Sequence, residues 1–402
     1  MTDLTAWQQA FARLKESDNK TAKAIERASH AELDPPEQAK AALAVLEELK
    51  IYGPVLAELR AASQHPRVRY PVEYKVDDPF AILLPHLAKI KGLLQELRLQ
   101  SSAELAAGQT SQAFTDVRVM LWLCDSLESE SFLISQLVRI AGQQITTQPI
   151  WEGLARHQWS EAQLKELQER FLRVNFAGSM SHSMDGERAG GVAVMQSTIR
   201  RNNLGEMLGN LTAESETPVA SKTTRQIAGW ITPRGWLYFE MVNHSILMDG
   251  LVANGWDAET GVFHPLALDE NEKRLQSQMS GGFSAVWHHH VLARLLIPAL
   301  TKASRRFSRA QATANQAALA CALERYHLSH GAYPESLAQL VPQYLAKIPN
   351  QAISTEVMRY VRTGDRFILY SVGWDGVDDN GAFAVAKEGE PEKGDWVWRS
   401  AP

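Results

Sequence analysis

Cysteine is scarce in this chain: its 402 residues hold two, Cys124 and Cys321, far apart in sequence. Two such thiols supply neither the close pairs of a zinc motif nor a disulfide framework. Both fall in stretches of helical periodicity and are expected as separate buried hydrophobes, with pairing in an oxidising compartment as the alternative. Long apolar runs are missing too. None reaches the roughly 18 residues needed to cross a bilayer, and Met1-Thr2-Asp3-Leu4 has neither the basic nor the apolar region of a signal peptide. Taken alone, that start predicts a soluble, cytoplasmic chain. A positive excess is also absent. With 41 Lys and Arg against 46 Asp and Glu the formal net charge is -5, so no basic field attracts a phosphate backbone, and nucleic acid is set aside as a partner. Gly186, Gly190, Gly191 and Gly205 match neither a Walker loop nor the dinucleotide fingerprint. The Gly-x-Ser-x-Gly elbow is absent as well.

What is present is an ordinary globular composition, 45% hydrophobic and 22% charged, in a chain longer than one core usually organises. Two or three domains are expected. Leu4, Trp7, Phe11 and Leu14 recur at helical spacing over residues 4–30. Asp34-Pro35-Pro36-Glu37 then reads as a cap with proline in the first turn, opening a helix through Leu43, Leu46 and Leu49 that resumes after Gly53-Pro54. A proline- and aromatic-rich connector covers 65–79. Further helices are predicted at 80–100, 102–128, 131–144, 151–156 and 160–174, the last fixed by the capping box Ser160-Glu161-Ala162-Gln163. Short links between amphipathic helices favour antiparallel hairpins, and no repeat period supports a solenoid. Residues 1–177 form the expected helical-hairpin domain.

Residues 178–282 have a different texture. Glycines interrupt every long period, and Trp230, Trp236, Tyr238, Phe239 and Trp256 lie among them. Short helices and ordered loops wrapped on the helical body are expected, with one helix at 235–249. The aromatics read as anchors of those loops, or as a binding platform should they prove exposed together. Ser179-Met180-Ser181-His182-Ser183 beside Asp185, with His244 and Asp249 further on, is the material for a hydrolase, which geometry and not adjacency decides. His288, His289 and His290 point about 100° apart on a helix and cannot chelate one ion together. Leu292 and Arg294 add no ligand on that face, so the histidines read as structural.

The third segment, 283–402, starts with a long helix, kinked at Pro298, that reaches residue 330. Ala312, Gln316, Leu319, Leu323 and Tyr326 line one of its faces, with Ala317, Ala320 and Ala322 beside them. Gly331 stops the helix and Pro334 prevents its continuation. A short helix then begins at Glu335-Ser336-Leu337 and carries Leu340. Residues 358–362 and 367–371 form a hairpin about Thr363-Gly364-Asp365, and Asp395-Trp396-Val397-Trp398 returns as an edge strand. Between them runs the acidic turn from Ser371 through Gly373-Trp374-Asp375-Gly376-Val377-Asp378-Asp379-Asn380-Gly381.

This order of helix, Gly-x-Tyr-Pro corner, hairpin and acidic glycine loop resembles the globular domain of the type II secretion major pseudopilins. The whole chain resembles uncharacterised membrane-anchored bacterial proteins with a helical N-terminal region and such a C-terminal module. The resemblance implies a calcium site with ligands from Asp375, Asp378, Asp379, Asn380 and Asp395. A hard cation does seek six to eight oxygens. The loop is no EF-hand, because Val377 and Ala386 occupy its third and twelfth positions. Asn350-Gln351-Ala352-Ile353-Ser354 also departs from the Asp-Pro, Gly and Asn-Pro turn usual in the family.

The fold expected is therefore mainly α, a helical-hairpin body closing in a small α+β module. The function expected is that of a non-catalytic cell-envelope protein, periplasmic or extracytoplasmic, that binds a protein partner. Its membrane contact would come only through an N-terminal anchor preceding Met1. A hydrolase using His182, Asp185 or His244 within 178–282, and a cytoplasmic helical scaffold, are the competing expectations.

Overall fold

The computed structural model describes residues 35–65, 67–76, 78–201, 234–278, 291–382 and 394–400. The helix expected over 4–30, Trp230 and the triplet His288 to His290 lie outside these residues. The fold is mainly α with small antiparallel sheets, in agreement with the sequence.

The helices are α1 (Pro35–Leu49), α2 (Gly53–Ala62), α3 (Pro85–Ala106), α4 (Thr110–Asp125), α5 (Leu133–Ala155), α6 (Glu161–Leu172), α7 (Phe176–Arg201), α8 (Arg234–Val252), α9 (Pro265–Gln278) and α10 (Val291–His330). Proline opens α2 and α3 in the first turn, where its missing N–H costs nothing. The capping box of α6 is complete: Ser160 accepts the Gln163 N–H while the Gln163 side chain accepts the Ser160 N–H at 2.9 Å. Helices α3, α4 and α5 pack on one another, with α1 laid against α3.

Three helix boundaries differ from the sequence reading. Helix α3 continues through Ser101 and Ser102 and stops at Gly108, whose positive φ of 75° ends it. The two helices expected at 131–144 and 151–156 are one, α5, with Pro149 inside it. Proline forfeits one backbone bond, but Ile150, Trp151 and Leu154 immediately beyond it are buried, and that packing outweighs the loss. Likewise 176–201 is a single helix and not short pieces. A Cβ at Gly186 would lie 2.1 Å from the Ser131 carbonyl, and one at Gly191 2.3 Å from His244 Nε2. These glycines admit neighbours to the helix surface.

Helix α10 is the axis of the molecule. Ala312, Ala314, Ala317, Ala318, Ala320 and Ala322 are all buried, so α6 packs closely on one side and the sheet on another. That sheet has the order β3 (Arg359–Thr363), β4 (Arg366–Ser371), β5 (Trp396–Arg399), antiparallel throughout, with Leu369 opposite both Tyr360 and Trp398. The hairpin turn holds Gly364 at φ 62°. The helix expected from residue 335 is a 3-10 turn, Leu337–Leu340. One core cluster joins Phe114, Trp159 and Leu164 of the body to Leu319 and Leu323 of α10 and to Leu369 and Trp398 of the sheet. A second, smaller ribbon pairs β1 (Trp256–Asp257) with β2 (Val262–Phe263). Both cysteines are free and buried, Cys124 in the cluster beneath α3 and Cys321 in the α10 core. Burial raises both thiols, Cys124 to about 11. Inert hydrophobic thiols fit that environment.

Candidate functional site

The acidic loop leaves β4 at Ser371 and first turns inward, so that Gly373 lies against the Gly394 carbonyl, where a Cβ would sit 2.1 Å away. Asp375, Asp378, Asp379 and Asn380 then stand exposed, in a coil that positive φ at Gly376, Asn380 and Gly381 makes possible. Asp375 Oδ1 accepts the Val377 N–H at 3.2 Å, and Asp378 Oδ1 accepts the Asn380 N–H at 3.0 Å. The other Asp378 oxygen takes the Arg359 guanidinium. Asp395 is the buried member. Its Oδ2 accepts the N–H groups of Asp379 at 3.2 Å and Gly381 at 2.7 Å, while its Oδ1 is buried with no partner. Desolvation pushes its pKa up, with the two amides opposing. Of the five predicted ligands, the fold thus draws Asp395 to the backbone at 379–381, turns Asp378 toward Arg359, and leaves Asp375 on its own turn.

In the middle segment the hydrolase candidates are dispersed. Ser179 and Ser183, four residues apart, face inward from α7: Ser179 Oγ accepts from Arg139 at 2.8 Å, and Ser183 donates to the Ser179 carbonyl. His182 is exposed near the Ser129 carbonyl. Ser181 accepts the Trp256 indole N–H at 2.7 Å. Asp185 pairs with Arg188, which also holds Asp249. His244 is buried on α8 with neither ring nitrogen hydrogen-bonded, and its pKa falls to about 4 through desolvation and then the charge of Arg188. Among the described residues no hydrogen bond links Ser179, Ser181 or Ser183 to either histidine. The helical period explains this, since neighbouring residues point in different directions.

The aromatic set divides. Trp236 packs on Val194 and Leu237, and Trp256 on Phe263, as loop and helix anchors. Tyr238 and Phe239, by contrast, are 54% and 62% exposed, and Val242 and Ile246 are 55% and 60% exposed. Positions 238, 242 and 246 recur every four residues, with 239 beside them, so the four make one apolar row along α8. The two aromatics stand out in the sequence; Val242 and Ile246 do not, although their spacing was the available signal.

A groove of about 840 Å³ lies between the connector after α2, helix α4 and helix α6, and Arg60, Arg67, Arg118, Trp122, Arg170 and Arg173 line it. Arg60 forks onto buried Asp116 at 2.8 and 2.9 Å, Arg118 pairs with Glu166, and Arg170 with Asp125. Arg67 and Arg173 have no ion pair among the described residues, so the spare charge of the groove is positive. These arginines are scattered through the sequence, and no local motif marks them.

A fourth cluster sits where the body meets the last turns of α10. Glu324 Oε1 is 2.6 Å from His157 Nδ1, and its Oε2 accepts the Tyr333 hydroxyl at 2.9 Å. The His327 ring stacks on His157 and lies against Tyr333, each at 4.7 Å between centroids. Among the described residues, this is the group of three His, Cys, Asp or Glu residues whose ligand atoms fall within 4.8 Å of one another. The acidic-loop carboxylates do not gather so closely. Compared with protein-family models, curated proteins and solved structures, the chain matches none.

Proposed function

We propose that this is a non-catalytic cell-envelope protein that binds a protein partner along the exposed apolar row of α8. The observation that carries the reading is that row itself: Tyr238, Phe239, Val242 and Ile246 leave more than half of each side chain in water. Isolated exposed apolar residues are ordinary, whereas a contiguous set with two aromatics has the composition of an interface core. The opposite face of α8 is committed to the fold through Leu247, Met248 and Leu251, so the row is held on a fixed support. The dispersal of Ser179, His182 and His244 supports a binding role over a hydrolytic one.

The envelope setting rests on the likeness of the C-terminal module to the secretion pseudopilins. No helix among the described residues is long and apolar enough to cross a membrane, so in this reading attachment comes through an anchor outside them. Calcium in the acidic loop belongs to the same reading. The unpartnered Oδ1 of buried Asp395 is the kind of group a hard cation satisfies, with Asp375, Asp379, Asn380 and loop carbonyls completing the shell and Asp378 released from Arg359.

The test is recovery of partner from envelope fractions with tagged wild-type protein and with Val242→Glu, which places a charge in the row without touching the core. The reading expects one stoichiometric partner with wild type and its loss in the variant. Equal recovery with both proteins, or floating of the wild type with lipid vesicles in place of a protein complex, contradicts it.

A further inference from the structure

Helix ends show an unusual residue choice that the interaction role does not use. Helix α3 closes with the Gly108 N–H on the Leu105 carbonyl and the Gln109 N–H on the Glu104 carbonyl, and Gly108 takes the left-handed conformation at φ 75°. Helix α5 closes with the same pair of bonds, His157 to Leu154 and Gln158 to Gly153, but the left-handed residue is His157 at φ 52°. Glycine is the usual occupant of this position because a Cβ is disfavoured there. A histidine held in that conformation calls for a reason beyond the turn.

Its side chain provides one. From the α5–α6 turn His157 reaches Glu324, which is 1% exposed, while His327 stands three residues further along α10 and so on the same face. One ligand atom from each of the three lies within 4.8 Å of the other two. Two imidazoles and a carboxylate are the donor set of open divalent transition-metal centres. Tyr333 donates to the second oxygen of Glu324, the outer contact that fixes a ligating carboxylate. Nδ1 of His327 is buried with no partner, and a buried imidazole nitrogen seldom goes unsatisfied. A small cavity of about 40 Å³ adjoins the cluster, bounded by His157, Glu324, Tyr333, Asp365 and Ser400. That is room for a water on an open coordination position.

We infer that His157, Glu324 and His327 form a site for one zinc-class divalent ion, which ties the α5–α6 turn to the end of α10. Tetrahedral ligation sets the three donor atoms roughly 3.3 Å apart, so the His157–Glu324 pair, now at 2.6 Å, opens slightly while the widest separation, within 4.8 Å, closes. When the ion takes His157 Nδ1, the imidazole proton shared with Glu324 sits on Nε2 instead, because the ligands bind as neutral imidazole and carboxylate.

The test loads the purified full chain with zinc, measures metal content after dialysis, and records the visible spectrum of the cobalt-substituted protein. His157→Gly removes a ligand while supplying the residue the turn prefers, which offsets part of the lost Glu324 contact and keeps the variant folded for the measurement. The proposal expects one zinc per chain in wild type, at least tenfold weaker binding in His157→Gly and His327→Ala, and a tenfold to hundredfold loss in Tyr333→Phe. Folded wild type that retains no zinc, or zinc and cobalt binding unchanged in His157→Gly and His327→Ala, overturns it.

Discussion

Helices α8 and α10 treat apolar surface in opposite ways. Around α10, Leu319, Leu323, Leu369 and the alanines between them are sealed between body and sheet, and Arg325 entering there meets Glu161, Gln168 and the Tyr344 carbonyl. Along α8, four large apolar side chains face water while buried His244 has neither nitrogen hydrogen-bonded. The first pattern is what folding alone requires. The second leaves apolar surface in water, and the proposed return is a partner.

Substitutions at matched positions sharpen the comparison. Leu369→Ala, in the central strand, should cost about 3–4 kcal/mol in urea unfolding, as buried leucine truncations do. A cost below 1 kcal/mol would mean that the sheet is not part of the shared core.

The buried acid of the body comes next. Desolvation, then the charge of Asp116, raises Glu104 to about 8, above its unfolded value. The folded state therefore holds the neutral acid, and its stabilisation is complete below about pH 4.5 and lost as pH rises through 8. Glu104→Gln should be roughly 3 kcal/mol more stable than wild type at pH 9, with the gap closing in acid. A gap independent of pH would remove the cause assigned to it.

Calcium tests the acidic loop against both helices. At a hundredfold excess over its dissociation constant the ion should add about 2.7 kcal/mol to the unfolding free energy, and Asp395→Asn should abolish the gain. An unchanged melting temperature and no heat of binding in wild type would end the calcium reading.

His244 carries the opposite slope from Glu104. Its folded pKa near 4 lies below the unfolded value, so the unfolded chain binds the extra proton and stability falls as pH drops from about 6.5 toward 4. Between pH 7 and 4.5 the loss attributable to His244 is about 2 kcal/mol, and His244→Leu should flatten the profile. Persistence of the full slope in that variant would place the titration elsewhere. Ile246→Ala, finally, should shift stability by less than about 0.5 kcal/mol, in contrast to Leu369→Ala. A core-sized loss would show that the row is covered by the fold itself.

Local signals were the legible part of this fold. The Ser160 capping box, the hairpin around Gly364 and the return of Trp396–Arg399 each depend on residues near one another in sequence, and all are present as read. What escaped depends on partners far away. Pro149 and Gly191 look like breaks until the buried neighbours of α5 and the imidazole of His244 are known. His157 and Glu324 are separated by 167 residues, and nothing local pairs them. In the acidic loop the residue types were legible but not their commitments, since Arg359 claims Asp378 and the amides of 379 and 381 claim one oxygen of Asp395.

The proposed role of the α8 row is that of an interface for a protein. A photo-activatable residue in place of Phe239, irradiated in intact cells, reads it most directly. The account predicts one discrete protein adduct that disappears when Val242→Glu is added; irradiation that yields no adduct, or only lipid adducts, would contradict it.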